Sequence, residues 1–373
     1  MHYMKQLGVY IHIPFCKQKC YYCDFVSFAK NEVLQEKYFN ALKTEIKNFF
    51  AKNIEYKVST IYIGGGTPSY VNENHIKDII ELIPKDDAKE ITIEVNPGTV
   101  NLEKLKLYKK AEINRLSIGL QSTQDRLLKQ IGRIHTFDDF LKTYNMAKEI
   151  GFDNINVDLM IGIPNQTIQD IKETLSKIIK LNPEHISVYS LIVEEGTKIA
   201  NLINAGDLNL PDEETERNMY WYVKNFLELK GYEHYEISNF AKKGYESKHN
   251  LDCWSQKEYI GFGLAAHSYM NNTRFSNTES LDDYLKDYKK SIIIQEKQDE
   301  FSKEKEYMLL GLRKIGGISI QKFKNKFGEN LIYLYRKQLA KLTEQGLIGV
   351  DKDNIKLTNK GLDLANIVWE EFI

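Results

Sequence analysis

Three of the chain's four cysteines lie close together, as Cys16, Cys20 and Cys23 in the stretch IHIPFCKQKCYYCDF at residues 11 to 25. Thiolates spaced CxxxCxxC on a short loop could hold three corners of a cubane iron–sulfur cluster, leaving the fourth iron without a protein ligand. The other chemistry open to them is a structural zinc site. That site needs a fourth donor, which His12 or the distant Cys253 would have to supply. Three clustered cysteines do not read as a disulfide framework, and a reducing compartment, the cytoplasm, is the expected home.

A second set of reactive side chains recurs at the ends of strand-like segments: Tyr10, the loop GGGTPS at 64 to 69, Glu94, Gln121 and Asp158, with Arg133 in GRIHT. Gly64, Gly65 and Gly66 would let the backbone approach a ligand without obstruction. Glu94 and Asp158 could accept from hydroxyls, and Arg133 could pair with a carboxylate. A zwitterionic nucleoside would suit that combination.

The elements that must position these groups follow from periodicity. Strand-like GVYIHIP, TIYIGG, EITIEVNP, RLSIGLQS, NINVDLMIG and HISVYSLI alternate with helical sequence, the first three helices expected near 33 to 52, 72 to 83 and 101 to 111. Serial β/α units predict parallel strands with right-handed crossovers. One parity of each strand is apolar, as in Ile61 and Ile63 or Ile155, Val157 and Leu159. The other is polar, as in Thr92, Glu94 and Asn96 or Asn154, Asn156 and Asp158. A doubly wound sheet would be apolar on both faces, and a filled eight-strand barrel would plug its interior with aliphatics. The expected fold is therefore α/β, a partial (β/α)6 barrel with a polar lumen and ligands at the C-terminal ends of the strands.

Residues 1–200 are expected to form this barrel and 201–298 an extension and connecting region, with a helix near 212 to 230. Residues 299–373 are expected to form a mainly helical, winged-helix-like unit with a hairpin turning at Asp353-Asn354. The 51 Lys plus Arg nearly balance 52 Asp plus Glu and are spread along the chain, and the C-terminal unit has no unusually basic helix, so no nucleic-acid partner is expected. No apolar run reaches a membrane-spanning length of about 18 residues, and no signal-peptide pattern opens the chain.

From about residue 7 to the C-terminus the motifs HIPFCxxxCxxCDF, GGGTPS, EVNPGT, SIGLQS, GRIHT, DLMIGIP and YEISNFA occur in order. In this set the chain resembles radical S-adenosylmethionine (SAM) proteins of the oxygen-independent coproporphyrinogen III oxidase-like family. The resemblance implies a [4Fe–4S] cluster on Cys16, Cys20 and Cys23, whose open iron chelates the amino and carboxylate groups of SAM. One electron, from an electron-donor partner, then cleaves the sulfonium to a 5'-deoxyadenosyl radical. It assigns Tyr10, Tyr22, Phe25, Gly65, Gly66, Thr67, Glu94, Gln121, Arg133 and Asp158 to SAM. The porphyrinogen-oxidising branch carries a further cysteine where this chain has Phe25, and a longer segment before the cluster. Both departures point to the neighbouring haem-chaperone branch, which binds haem and passes it to an acceptor protein, a respiratory one included, and leaves peripheral membrane contact open. That branch has an HNxxYW motif, here HNLDCW from His249 to Trp254, so His249 is the haem-ligand candidate, ahead of His267 and His234, and Cys253 reads as a buried hydrophobe. The rival readings are a coproporphyrinogen III dehydrogenase or other radical SAM oxidoreductase, and a zinc-stabilised winged-helix regulator.

Overall fold

The computed structural model describes residues 4–29 and 32–373. Six parallel strands, β1 (Lys5–Ile13), β2 (Tyr56–Gly65), β3 (Glu90–Val95), β4 (Arg115–Gln121), β5 (Ile155–Ile161) and β6 (His185–Ser190), lie side by side in chain order. Between them run α1 (Glu32–Phe50), α2 (Glu73–Glu81), α3 (Leu102–Lys110), α4 (Asp125–Gln130), α5 (Phe137–Glu149) and α6 (Ile168–Leu181). Right-handed crossovers that always step to the next strand put every helix on one face, so the sheet curls away from them into a partial barrel. Local signals start the helices where the sequence calls for it: Asn101 caps α3, and Thr136 with Asp139 and Thr167 with Asp170 form capping boxes on α5 and α6.

The apolar parity faces the helices. Ile61, Ile63, Ile93, Leu116, Ile118, Ile155 and Val157 are all essentially inaccessible in one continuous core, each worth about 1.5–3 kcal/mol on burial. The polar parity faces the lumen, and its lower half is closed. Ser117, Asn156, His185 and Ser187 are buried there and bond one another: Asn156 Nδ2 donates to Ser117 Oγ at 2.7 Å, and His185 pairs with Asn156 Oδ1 at 2.6 Å and Tyr235 Oη at 2.7 Å.

The region expected to extend the barrel and connect it to the C-terminal unit doubles the sheet. It contributes β7 (Glu233–Glu236), β8 (Asn239–Ala241), β9 (Tyr259–Phe262), β10 (His267–Met270), β11 (Thr273–Asn277) and β12 (Ile292–Lys297), giving twelve strands in the order β12-β11-β10-β9-β1-β2-β3-β4-β5-β6-β8-β7. Strand β9 runs parallel to β1, and β10 to β12 continue antiparallel. These strands are short and lack clean alternation, so periodicity does not reveal them. Glu45 on α1 ties the addition down, accepting from Gly263 N at 2.9 Å, Asn277 Nδ2 at 2.7 Å and Tyr284 Oη at 2.6 Å in a fully buried setting.

The helix Lys248–Trp254 closes the bottom of the lumen. Glu90, 2 % exposed at the start of β3, accepts from Lys248 N at 2.9 Å, His249 N at 3.1 Å and Ser247 Oγ at 3.4 Å. The C-terminal unit has a separate core around Met308, Phe323, Leu342, Ile355 and Val368 and a three-stranded sheet from Ile318–Ser319, Asn354–Leu357 and Ile348–Val350. Asn354 already opens the second hairpin strand, so the turn lies just before it. The unit meets the barrel where the Arg313 guanidinium stacks 4.4 Å from the Trp254 ring and 5.3 Å from the Trp369 ring.

Two outcomes follow from the buried polar groups. Glu90→Ala strips three donors of their acceptor and should lower stability by about 3 kcal/mol in chemical denaturation, whereas a loss below about 1 kcal/mol would show that the helix holds without it. Burial holds His135, His234 and His249 down at about 4, from an ordinary 6.5. A depressed folded-state value means stability that is present above pH 6.5 and lost as pH falls toward 4. Urea unfolding should therefore show a loss of roughly 2 kcal/mol per such histidine between pH 7 and pH 5, and a flat profile would contradict their burial in neutral form.

Candidate functional site

The cysteine loop leaves the C-terminal end of β1. Its first residues, Phe15 and Cys16, pair in parallel with Phe28 and Ala29, so the loop closes on itself beside the strand. Cys16 is buried, and Cys20 and Cys23 are half-exposed around a turn closed by Cys23 N donating to Cys20 O at 3.3 Å. Burial pushes the Cys23 thiol up to about 11 and raises Cys16 as well, so neither ionises readily near neutrality unless a cation draws the proton off.

The glycine loop at the end of β2 abuts the cysteines. Gly66 N donates to Ile13 O at 2.8 Å and Thr67 N to Phe15 O at 2.9 Å, while Thr67 Oγ1 lies 3.5 Å from Cys16 Sγ. A Cβ on Gly66 would stand 2.9 Å from Cys16 Sγ and 3.0 Å from two carbonyl oxygens, which is too close. Gly65 has φ +111°, and a Cβ there would meet the His12 ring at 2.7 Å.

Around the upper lumen the structure brings together Tyr10, Glu94, Gln121, Arg133 and Asp158. Tyr10 Oη donates to His12 Nδ1 at 3.0 Å, which requires His12 Nε2 to carry the proton it gives Val26 O at 2.9 Å. Tyr62 Oη donates to Glu94 Oε1 at 2.9 Å. Burial, with repulsion from Asp158 added, pushes Glu94 up to about 7. Burial also raises Asp158, against hydrogen bonds from Asn156 Nδ2 at 2.7 Å and Ser117 Oγ at 3.2 Å. Arg133 donates from Nη1 to Asn96 Oδ1 at 3.0 Å and from Nη2 to Gly119 O at 2.8 Å, and its Nη1 faces Cys20 Sγ at 3.5 Å.

Two further residues assigned by resemblance lie on the cysteine loop, and only Phe25 turns away from this group. Tyr22 stays within the site, its buried hydroxyl hydrogen-bonded with Cys20 and close to the Arg133 guanidinium, while its ring packs beside the apolar cluster of Leu127, Ile131 and Met160. The Phe25 side chain is 60 % exposed, and only its main chain touches the loop, its carbonyl accepting from Lys19 Nζ at 3.0 Å. Two positioning residues were not singled out from sequence. Asn96 bridges Thr67 Oγ1 at 2.9 Å and Arg133, and Tyr62 stacks on Tyr10 at 6.3 Å while bonding Glu94. The signal for both was their lumen parity, Asn96 one residue past β3 and Tyr62 on β2.

The donor set fits a cluster better than a single zinc ion. Among the described residues no three His, Cys, Asp or Glu side chains converge on one ion position. His12 has both ring nitrogens engaged, and Cys253 lies on the helix beneath the opposite end of the lumen. Cys20 and Cys23 border a cavity of about 480 Å³ together with Tyr21, Thr197 and Lys198. Gln121 Oε1 and Arg133 Nε are buried with no partner among the described residues, as expected of groups awaiting a polar ligand. His249 is 6 % exposed in the lumen floor, its Nδ1 2.9 Å from Thr60 Oγ1 and its ring 5.4 Å from that of Tyr62. Cys253 is half-buried, and desolvation pushes its thiol up to about 12. His234 is buried against Phe240, whereas His267 is exposed on β10.

The tight cradle behind Cys16 is directly testable. Gly66→Ala should displace Cys16 Sγ and cut iron and sulfide uptake on anaerobic reconstitution to less than about half, with a stability loss of about 1–3 kcal/mol from overpacking. Full uptake would show that the cradle is not needed.

A radical SAM superfamily model matches residues 10–178, and a model of the HemN C-terminal domain matches residues 304–364. The chain is 41% identical to the haem chaperone HemW of Bacillus subtilis, over 98% of this chain and 99% of that one. It is 37% identical to HemW of Lactococcus lactis, over 99% and 98%. The structure of coproporphyrinogen III oxidase (HemN) from Escherichia coli, 24% identical, superposes with a TM-score of 0.86 over 100% of this chain and 91% of that one, a likeness of fold. No helix among the described residues is long and apolar enough to cross a membrane. Full-length identity at this level, on a partial barrel with a three-cysteine loop, places the chain in the HemW haem-chaperone family of radical SAM proteins.

Proposed function

We propose that this chain binds haem and hands it to an acceptor protein, with a [4Fe–4S] cluster on Cys16, Cys20 and Cys23 and SAM beside it. The observation that carries the reading is end-to-end similarity to HemW haem chaperones, together with a loop that offers three thiols and no fourth. When bound, a cluster with one iron free of protein thiolate supplies a coordination site for the amino and carboxylate groups of SAM and a route for one electron to its sulfonium.

The chain's own residues do the rest. Gly65, Gly66 and Thr67 let the backbone come close to the ligand and hold Cys16 in place. Glu94 and Asp158 accept from ribose hydroxyls, Tyr62 and Ser117 orienting them. Arg133, anchored by Asn96, sets a positive charge beside Cys20, where it opposes the negative charge of a cluster and meets the SAM carboxylate. Tyr10 and Gln121 supply aromatic and amide contacts, and Phe25 contributes main-chain groups only. Phe25 stands where the porphyrinogen-oxidising branch carries a cysteine, which argues against that chemistry here.

The test is transfer. Haem-loaded, anaerobically reconstituted protein mixed with a haem-free acceptor should lose its Soret band as the acceptor's grows, while coproporphyrinogen supplied with SAM and reductant should remain unconverted. Conversion of coproporphyrinogen with consumption of SAM, and no transfer, would replace the chaperone reading with the oxidase one.

A further inference from the structure

A protein that takes up haem and releases it again needs an iron ligand that haem can reach. Among the described histidines, His12, His135, His185, His234 and His249 are buried. His75 is half-buried, stacked 4.2 Å from Phe39 with its Nε2 3.3 Å from Glu36. His267 alone is exposed. It stands on β10, in the antiparallel extension of the sheet, outside the SAM site and outside HNLDCW.

Its surroundings have the character of a haem-binding face. His267 lies opposite Ser276 on β11, and Ser276 lies opposite Ile293 on β12, so the three share one face of the sheet. At about 4.8 Å per strand, His267 and Ile293 are roughly 10 Å apart, within the span of a porphyrin. Strand β12 is the outer edge of the sheet, and Ile292, Ile293 and Ile294 are 43%, 50% and 55% exposed there. A run of exposed isoleucines on an unpaired edge is a liability unless something covers it. Lys289 and Lys290, both exposed, lead directly into the strand, with Lys290 only 3.7 Å from Asp287 as its ion-pair partner. An axial imidazole, an apolar platform and a pair of cations match the iron, the ring and the two propionates of haem.

A register slip supplies the supporting group. Between Arg274 and Phe275 the β11–β12 ladder skips one residue, which leaves Gln295 outside the pairing. Its amide then reaches His267 Nδ1 at 3.3 Å and Ser276 Oγ at 3.3 Å. With Nδ1 occupied, Nε2 is the nitrogen left to face outward. Turning the amide over would put Oε1 against Nδ1–H, the arrangement that fixes a ligating histidine with its Nε2 lone pair free. Bulges commonly re-aim a side chain in this way beside functional sites.

We infer that haem docks on this face, with His267 Nε2 on its iron, its ring across Ile293 and the open edge of β12, and its propionates toward Lys289 and Lys290. The inference rests on the haem reading above and names the site for it. Ferric protoporphyrin IX titrated into the anaerobically reconstituted full chain, followed in the visible and Soret regions, tests it. His267→Ala should weaken binding at least about tenfold and remove the imidazole-ligated spectrum, which free imidazole should restore. Ile293→Asp should weaken binding without moving the bands, and His249→Gln should bind like wild type. Wild-type affinity and spectrum in His267→Ala, or their loss in His249→Gln alone, would overturn the site while leaving the haem reading standing. Failure of the wild-type chain to take up haem would overturn that reading and this face with it.

Discussion

Two backbone hydrogen bonds, Gly66 N to Ile13 O and Thr67 N to Phe15 O, lock the glycine loop at the end of β2 to the cysteine loop at the end of β1. Everything at the mouth of the barrel depends on that lock. It fixes Cys16 against a glycine that cannot accept a side chain, sets Thr67 beside the sulfur, and leaves Cys20 and Cys23 on the open side of the loop. The loop thus offers three soft donors whose geometry is set by the two strands and not by a fourth ligand. Cys253 sits at the other end of the lumen.

The polar lumen is costly to bury, and the chain offsets much of that cost by pairing groups in its lower half. His185, Asn156, Ser117 and Ser187 form a hydrogen-bonded plug, and Glu90 caps the helix that seals the base. Thr92 Oγ1 and Arg115 Nε are left unpartnered low in the lumen, and Gln121 Oε1 and Arg133 Nε higher up, where Glu94 and Asp158 also crowd each other. The unpaired Gln121 oxygen and Arg133 nitrogen, beside two carboxylates, equip the cysteine end of the lumen to receive a polar molecule. His249 lies in the lumen floor, and reaching haem iron would require breaking its contact with Thr60 and leaving the floor.

Much of this was legible in sequence because the relevant signals are local. The two-residue period of β1 to β6 separates helix-facing Ile63 and Ile93 from lumen-facing Glu94 and Asp158. The CxxxCxxC spacing and the GGG run mark the loops at strand ends. What was not legible depends on long-range pairing. Strands β7 to β12 are short, and it is the edges of β1 and β6 that make them strands. The burial of His249 under Tyr62, the bridging role of Asn96 and the outward turn of Phe25 arise from how distant segments meet. The exposure of His267 and the bulge that places Gln295 beside it belong to the same class, since neither leaves a mark within a few residues of chain.

The proposed function stands on a four-iron cluster held by three thiolates, with one iron left for a small ligand. Mössbauer spectroscopy of protein reconstituted with isotopically enriched iron, with and without SAM, addresses it most directly. With such a cluster, about one iron in four should change its parameters when SAM is added, the others staying put. A spectrum indifferent to SAM, or cysteines found ligating a single zinc ion, would contradict it.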